Sequence, residues 1–243
     1  MRLPDAESIA REAARLWLEI ARDAVSQRGS FSIALSGGAT PRRLYELMAS
    51  APANAEAPWS QTFVFWGDER RVAPGHDDSN YRLAKDALLD RVPVPSNQIF
   101  PMQGLGLAGS ATRDYDSKLL KHFGLQTGEW PRFDLILLGM GSDGHIASIF
   151  PGTRAASDLT NMVVVFEVPQ LRKERMTVTR PVLGHARNLI FLVSGSEKAH
   201  ALAMTLEGTH QPSTYPAQGI KPLPDTRVMW LVDYSAAAQL TQS

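Results

Sequence analysis

The sequence contains no cysteine among its 243 residues. Disulfide bonds, thiol catalysis and cysteine-ligated zinc are therefore excluded, and a reducing compartment suits such a chain. The chain also lacks an excess of charge, because 25 Lys and Arg residues balance 25 Asp and Glu residues. A nucleic-acid-binding protein presents a basic face, so we expect no nucleic acid partner, although a neutral chain can still contain a local basic pocket.

Long apolar segments are absent as well. No run approaches the roughly 20 residues that a membrane-spanning helix requires, so we expect no membrane partner. The first residues include Asp5, Glu7 and Arg11, where a secretory signal peptide would carry an apolar stretch. Hydrophobic residues still make up 44% of the chain, which is ordinary for a globular protein with a buried core. These features predict a cytoplasmic protein, a monomer or a small homo-oligomer.

Helical and strand-like segments alternate along the chain. Apolar residues at helical spacing predict an amphipathic helix over residues 5–28, which Gly29 ends. The apolar segments 31–35 and 133–138 are typical of buried strands. Further strands are predicted at 62–66, 162–168, 176–179, 189–193 and 227–232, further helices at 79–91, 110–123 and 196–206, and loops at 50–60, 93–109 and 208–226.

Strands that are apolar throughout and alternate with helices predict a mostly parallel sheet covered by helices on both faces. We therefore expect an α/β, Rossmann-like fold, with residues 1–243 forming one domain because no repeat or low-complexity linker interrupts them. In such folds ligands bind beyond the carboxyl ends of the strands. Three polar stretches each follow a predicted strand, and they are the candidates for a site.

The first stretch is residues 36–41, Ser-Gly-Gly-Ala-Thr-Pro. Gly37 and Gly38 allow a tight turn and a close approach of the backbone to a ligand. Thr40 is a favourable N-cap and a proline follows it, which predicts that a helix begins here. Free backbone N–H groups at a helix start favour an anion such as phosphate, and the Ser36 and Thr40 hydroxyls add donors. A plain capped turn would give the same pattern.

The second stretch is residues 66–71, Trp-Gly-Asp-Glu-Arg-Arg. The guanidinium of Arg70 can bind a phosphate or carboxylate through two parallel hydrogen bonds. Asp68 can contact sugar hydroxyls or orient a neighbouring group. A solvated cluster of salt bridges at a strand end is the alternative. Residues 78–80, Asp-Ser-Asn, form either a helix cap, with Ser79 as the capping residue, or a further wall of the pocket.

The third stretch is residues 139–145, Gly-Met-Gly-Ser-Asp-Gly-His. An imidazole titrates near neutral pH, so His145 suits a general base. The glycines permit close contact between the backbone and a ligand. Most single histidines are structural, but this one lies where an α/β protein forms its site. Asp143 and His145 have no convincing third ligand, so we predict no metal site.

Together these stretches resemble the motifs of the 6-phosphogluconolactonase family in type and order. The matching segments are 36–41, 66–70, 78–80, 139–152 (GMGSDGHIASIFPG), 175–179 (Arg-Met-Thr-Val-Thr) and 194–199 (Ser-Gly-Ser-Glu-Lys-Ala). The resemblance spans nearly the whole chain, and the segment 139–152 is its most specific motif. Ala39 and Ile146 stand where the family commonly has a hydroxyl-bearing residue, which removes a hydrogen bond but no charged group.

The resemblance implies the fold shared with glucosamine-6-phosphate deaminases and ribose-5-phosphate isomerases. It also implies hydrolysis of 6-phospho-D-glucono-1,5-lactone to 6-phosphogluconate in the oxidative pentose phosphate pathway. His145 would be the general base, and Asp143 would orient it or a sugar hydroxyl. An ester carbonyl is already electrophilic, so neither a cofactor nor a metal ion is expected. The resemblance implies a set of residues that bind the sugar phosphate, without dividing them between the phosphate and the oxyanion. These residues are Ser36, Gly37, Gly38, Thr40, Asp68, Arg70, Arg175 and Lys198.

Two other functions compete with this one. The related deaminases also have a Ser-Gly-Gly loop and an Asp-Gly-His-Ile motif, and Ile146 matches the latter. Their motif continues with Asn-Glu-Pro, whose glutamate assists ring opening, whereas residues 149–151 here are Ile-Phe-Pro. Their Asp-Glu-Tyr segment is Asp-Glu-Arg at residues 68–70. Both differences favour the lactonase. A non-catalytic sugar-phosphate sensor would keep the phosphate-binding groups but would not need His145.

Overall fold

The computed structural model describes residues 1–102 and 104–241. Its strands alternate with helices along most of the chain, as the sequence predicts. The strands of the described residues are β1 (Arg2–Leu3), β2 (Phe31–Leu35), β3 (Thr62–Trp66), β4 (Asp68–Arg70), β5 (Leu135–Gly139), β6 (Val163–Val168), β7 (Lys173–Val178), β8 (Asn188–Val193) and β9 (Arg227–Asp233).

Six strands form a parallel sheet in the order β1-β9-β8-β5-β2-β3. Every residue of β2 is buried, as expected for a strand between two neighbours in a covered sheet. The expectation of a mostly parallel α/β sheet is therefore confirmed. The two residues of β1 were not predicted as a strand, because so short a segment shows no pattern of alternating burial.

The remaining strands form a separate antiparallel sheet in the order β4-β7-β6, which the sequence did not predict. Gly67 connects the two sheets, since its N–H donates to Leu35 of β2 (2.9 Å) and its carbonyl oxygen accepts the N–H of Val178 of β7 (2.9 Å). The residues that follow Gly67 therefore lie in a strand of the second sheet, and not in a loop after the first.

The helices of the described residues are α1 (Ala6–Arg28), α2 (Ala39–Met48), α3 (Ala53–Glu56), α4 (Asn80–Ala84), α5 (Ala108–Phe123), α6 (Arg154–Ser157), α7 (Arg180–Gly184) and α8 (Ala199–Leu206). Asp5 caps α1 by accepting the N–H of Ser8 at 2.8 Å, and Gly29 ends it with a φ of 75°. The predicted helix 79–91 is α4 continued by a π-helical turn over Lys85–Leu89, with Ser79 as its cap.

The apolar core lies between the parallel sheet and the helices that pack on it. The buried side of α1 packs against β2, β8 and β9, and its Trp17 ring lies 5.2 Å from that of Trp59. On another part of the sheet, the Tyr115 hydroxyl of α5 bonds both backbone polar groups of Trp66 (2.9 Å each). None of the helices in residues 1–102 and 104–241 is long and apolar enough to cross a membrane.

Candidate active site

A cleft of about 890 Å³ opens at the carboxyl ends of β2, β5 and β8. All ten residues that the sequence nominated line this cleft: Ser36, Gly37, Gly38, Thr40, Asp68, Arg70, Asp143, His145, Arg175 and Lys198. Parallel strands end at the same edge of a sheet, which explains why loops distant in sequence meet here. The structure thus brings the candidates together, while their roles in binding and catalysis stay predictions.

His145 lies at the end of a tight loop that follows β5. The loop turns back because Gly141 N–H donates to the His145 carbonyl oxygen (2.9 Å) and Gly144 N–H donates to that of Gly141 (3.0 Å). The imidazole Nδ1 lies 2.6 Å from an Asp143 carboxylate oxygen. Since a carboxylate only accepts, we assign the proton to Nδ1, which leaves Nε2 free to exchange a proton in the cleft.

The environment of Asp143 favours its ionised form. Burial acts to raise the pKa of Asp143, but the hydrogen bond and the charge of His145 outweigh burial and lower that pKa. An ionised Asp143 stabilises the imidazolium that forms when His145 accepts a proton. The His145 side chain remains 29% exposed, so water and substrate can reach it. This pair therefore has the geometry of a general base with its orienting carboxylate.

Gly141 is required by the imidazole itself. A Cβ at this position would lie 2.2 Å from both Cε1 and Nδ1 of His145, and 2.7 Å from an Asp143 oxygen. The sequence suggested that glycine here lets the backbone approach a ligand. The group that approaches the backbone is instead the ring of His145, so any larger residue would displace the candidate base.

The Ser-Gly-Gly loop begins α2, and its two glycines serve different purposes. A Cβ on Gly37 would lie 1.9 Å from the Asn80 side-chain oxygen, so only glycine fits beside that amide. Gly38 has a φ of 110° and is the N-cap of α2, which begins at Ala39 without a side-chain capping bond. The prediction that Thr40 caps the helix is therefore wrong. Glycine tolerates this φ, so the helix begins upstream and Thr40 lies within its first turn.

Asp68 is buried beside the cleft and is held by two neutral donors. One carboxylate oxygen accepts the hydroxyl proton of Ser148 (2.7 Å), and the other accepts the side-chain amide of Asn80 (3.3 Å). The same amide also donates to the Asp68 carbonyl oxygen (2.9 Å). Asp68 thereby connects three segments that are distant in sequence, and its position in the cleft is fixed by hydrogen bonds and not by a cation.

Glu69 is buried as well, and both of its carboxylate oxygens accept hydrogen bonds within the protein. Its carboxylate accepts the backbone N–H groups of Arg70, Asn80 and Tyr81 and the hydroxyl of Ser79, at 2.7 to 3.0 Å. Burial raises the pKa of Glu69, although the three backbone N–H groups oppose that effect. Glu69 does not line the cleft, and it fixes the start of α4 against β4. Residues 78–80 are thus both a helix cap and, through Asn80, part of the cleft wall.

Arg70 and Arg175 lie opposite each other in the register of β4 and β7. Their guanidinium groups bond backbone carbonyls, of Asp78 and Glu174 respectively, and neither forms an ion pair with a carboxylate of the described residues. Burial, and next the charge of Arg70, lower the pKa of Arg175. Two adjacent cations without a carboxylate partner suit an anion, because an anion would relieve their repulsion.

The other cations of the cleft differ in how far they are neutralised. Arg43 is paired with Glu7 (2.6 Å) and Glu46 (3.0 Å), so little of its charge is left for a ligand. Lys198 precedes α8 and forms no ion pair with a carboxylate in the described part of the chain. Lys198 is a candidate from the sequence and Arg43 is not, and of the two only Arg43 is paired with carboxylates.

The contacts of some cleft residues were not predicted from the sequence. Asn80 and Ser148 hold Asp68, and the ring of Phe150 stacks on His145 with centroids 4.1 Å apart and planes 25° apart. Ser148 and Phe150 belong to the motif that drew attention to His145, so only their contacts were missed. No cluster of three or more His, Asp or Glu side chains that could hold a metal ion occurs in residues 1–102 and 104–241.

Comparison with known proteins places the chain in a family. The family described as glucosamine-6-phosphate isomerases/6-phosphogluconolactonase matches residues 4–230. A 6-phosphogluconolactonase of Synechocystis is 40% identical over 220 residues, which cover 89% of this chain and 88% of the relative. The chain belongs to the glucosamine-6-phosphate isomerase/6-phosphogluconolactonase family.

Solved structures extend the relationship to the fold of this family. The 6-phosphogluconolactonase of Trypanosoma brucei superposes with a TM-score of 0.87 at 28% identity, covering 99% of this chain and 98% of that one. A monomeric glucosamine-6-phosphate deaminase superposes with a TM-score of 0.80 at 20% identity, covering 98% of each chain. The second likeness shows the fold alone, and the predicted sharing of the fold with deaminases is confirmed.

The two departures from the family motifs lie in different surroundings. Ile146 is fully buried, and its backbone forms bridges with Met140 and Ile149. An apolar side chain suits that position, and the absence of a hydroxyl there leaves the hydrogen bond between Asp143 and His145 intact. Ala39 is exposed in the first turn of α2, where it lines the cleft. Of the two positions, only that of Ala39 lines the cleft.

Proposed function

We propose that this chain hydrolyses 6-phospho-D-glucono-1,5-lactone to 6-phosphogluconate, the lactone-opening step of the oxidative pentose phosphate pathway. One observation carries the proposal: a histidine oriented by a carboxylate lies in the same cleft as two adjacent arginines without carboxylate partners. The first group suits hydrolysis and the second suits a phosphate. The names of the relatives from Synechocystis and Trypanosoma brucei agree with this combination.

The reaction begins with His145 as general base. Its Nε2 accepts a proton from a water molecule as the water oxygen attacks the lactone carbonyl carbon. The carbonyl oxygen becomes an oxyanion, and Asp143 stabilises the imidazolium through Nδ1. When the tetrahedral intermediate collapses, the bond to the ring oxygen breaks and His145 returns its proton to that oxygen. The product is an open-chain acid, whose carboxyl group ionises at neutral pH.

Binding of the sugar phosphate is assigned to the rest of the cleft. Backbone N–H groups at the start of α2 and the Thr40 hydroxyl donate to the phosphate, where the helix dipole also favours an anion. Arg70, Arg175 and Lys198 supply the positive charge that the phosphate and the oxyanion require. Asp68 accepts from a sugar hydroxyl, since its position is already fixed by hydrogen bonds from Ser148 and Asn80.

The whole chain contributes to this activity as a single domain in the cytoplasm. The cleft takes residues from both sheets, and Gly67 is bonded to a strand of each. A chain without cysteine is suited to a reducing compartment such as the cytoplasm. A single cooperative unfolding transition, followed by both tryptophan fluorescence and circular dichroism, is the expected result for one domain.

Proton release from freshly generated 6-phosphogluconolactone tests the proposed reaction. The substrate is made in the cuvette, and the rate is compared with and without protein after subtraction of spontaneous hydrolysis. The matched control is the His145→Ala protein, which keeps the phosphate-binding residues. Ammonia release from glucosamine 6-phosphate is measured in parallel.

We expect lactone hydrolysis and no ammonia, because Phe150 stands where the deaminases have a carboxylate. Deamination without hydrolysis would overturn the proposal in favour of the other reaction of this family. Tight binding of 6-phosphogluconate without any hydrolysis would instead indicate a sugar-phosphate sensor.

A further inference from the structure

The imidazole of His145 is confined by more than its hydrogen bond. Asp143 holds Nδ1 at 2.6 Å, and the Gly141 backbone lies so close that no Cβ fits beside the ring. The third contact is Phe150, whose ring stacks on the imidazole at a centroid distance of 4.1 Å. The 25° angle between the planes means that the aromatic face, and not its edge, meets the imidazole.

Phe150 is itself held in place. The chain reverses direction after His145: Ala147 has a φ of 48°, and Ile149 N–H donates to the Ile146 carbonyl oxygen (2.8 Å). The Phe150 carbonyl oxygen then accepts the Thr153 hydroxyl (2.7 Å) and the Thr153 N–H (3.3 Å). With only 8% of the residue exposed, the phenyl ring has little freedom to move away from the imidazole.

We propose that Phe150 is a positioning residue for His145, which keeps the imidazole aligned with Asp143 and stabilises its protonated form during the reaction. The inference rests on the proposed function and names a further residue that acts in it. The face of a phenyl ring is negative, so a stacked imidazolium is favoured over a neutral imidazole. This preference appears only when His145 has taken the proton, and it therefore lowers the barrier without strengthening substrate binding.

Packing alone would have a different signature. A phenyl ring that merely filled space would change the stability of the protein and leave the catalytic rate of the folded fraction unchanged. Phe166 provides the comparison, because it is also 8% exposed but lies in β6 and does not line the cleft. The matched pair of substitutions is Phe150→Leu and Phe166→Leu, with Phe150→Tyr restoring an aromatic face.

The first measurement is steady-state lactone hydrolysis by the three variants. Phe150→Leu should lower kcat by roughly 5- to 30-fold with KM nearly unchanged, which is the scale of a partly desolvated cation–π contact. Phe150→Tyr should recover most of the rate, and Phe166→Leu should keep the wild-type kcat. Equal losses from Phe150→Leu and Phe166→Leu, or a loss in KM alone, would overturn the inference.

The second measurement asks whether Phe150 acts through His145. In a double-mutant cycle, Phe150→Leu should have no effect on the residual rate of a His145→Ala protein. A loss of the same size in both backgrounds would show that Phe150 acts on the substrate directly, which contradicts a positioning role.

A third measurement requires no activity and separates this inference from the proposed function. In long-range ¹H–¹⁵N spectra of the unliganded protein, His145 should show a single tautomer protonated at Nδ1. Phe150→Leu should mix the tautomers or broaden the signals, whereas Phe166→Leu should not. Unchanged spectra in Phe150→Leu would overturn the positioning role even for an active enzyme. If the wild-type protein hydrolyses no lactone, the proposed function fails. The spectra would still show whether Phe150 positions the imidazole of His145.

Discussion

His145 and His122 both contact aromatic rings, but of these two histidines only His145 has the surroundings of a catalytic base. His145 lies in the cleft on a single ring, with a carboxylate 2.6 Å from Nδ1. His122 lies in the last turn of α5 and contacts four rings at centroid distances of 4.5 to 5.9 Å: Phe63, Phe65, Phe100 and Phe123.

The comparison shows that a carboxylate partner determines whether a histidine in contact with aromatic rings favours its protonated or its neutral form. Burial among the phenylalanine rings lowers the pKa of His122, and the more distant charge of Asp134 only partly opposes that shift. The half-buried surroundings of His122 therefore favour its neutral form. At His145 the carboxylate of Asp143 is in direct contact, so the protonated form has a partner when it arises.

The largest expected effect is the loss of the base. His145→Ala should lower kcat for lactone hydrolysis by roughly 10²- to 10⁴-fold, the usual range for a positioned general base. The fold should survive, because the side chain lies on a loop and not in the core. His122→Phe is the matched variant of the second histidine, and it should keep a wild-type kcat. Near-normal hydrolysis by His145→Ala would remove the distinction between the two residues.

A single methyl group beside the imidazole should have the next largest effect. Gly141→Ala places a Cβ about where the His145 ring lies and forces the ring out of line with Asp143. A displacement on the order of 1 Å at a catalytic group costs about 10²-fold in rate. Gly75→Ala is the control, since a Cβ there meets no atom within 4 Å and the residue does not line the cleft. Equal rates for the two variants would show that the imidazole can shift without loss.

The cations of the cleft should act on specificity more than on the chemical step. Arg70→Ala or Lys198→Ala should remove the proposed charge-assisted contact to phosphate, worth roughly 1.5–3 kcal/mol, or about 10- to 150-fold. The ratio of kcat/KM for 6-phosphogluconolactone over plain gluconolactone should fall by that factor. The exposed Lys121, which does not line the cleft, provides the control variant Lys121→Ala.

The result for the two lactones also separates the possible roles. A loss shared equally between them would assign the cation to the oxyanion or to the fold. No change in any of the variants would show that the phosphate binds elsewhere, which would leave the proposed substrate without its main physical support.

Much of the parallel sheet could be predicted from the sequence. The strands 31–35 and 62–66 have the predicted bounds, because mostly apolar segments end there at Ser36 and Gly67. The predicted strand 133–138 instead begins at Leu135. Phe133 is as buried as the residues of β5, so an apolar pattern cannot show that Phe133 lies just before the strand and not within it.

The antiparallel sheet could not be predicted in the same way. Residues 68–70 are Asp-Glu-Arg, which shows no apolar alternation, and they form a strand only because β7 pairs with them. The contact between Ser148 and Asp68 spans 80 residues, so no local pattern encodes it. Most of the candidate residues could be proposed from the sequence because they lie at or just beyond a strand end. Arg175 instead lies inside β7, and the contacts that hold the candidates depend on the assembled fold.

The smallest expected effect concerns His122 and the pH dependence of stability. The pKa of His122 in the folded protein lies below its unfolded value of about 6.5, so the unfolded chain takes up the proton first as the pH falls. Acidification through that region should therefore lower the free energy of unfolding. His122→Phe removes this contribution, and its free energy of unfolding should depend less on pH than that of the wild type.

Urea unfolding at several values between about pH 8 and pH 5 measures the difference, around the ordinary histidine pKa of about 6.5. We expect the wild type to lose stability relative to His122→Phe below that pKa by less than about 1 kcal/mol, because the imidazole is only partly buried. His200→Gln, at an exposed position of α8, should follow the wild-type curve. If the free energies of unfolding of His122→Phe and the wild type change with pH in parallel, burial does not favour the neutral form of His122. The contrast with His145 would then lack its physical basis at His122.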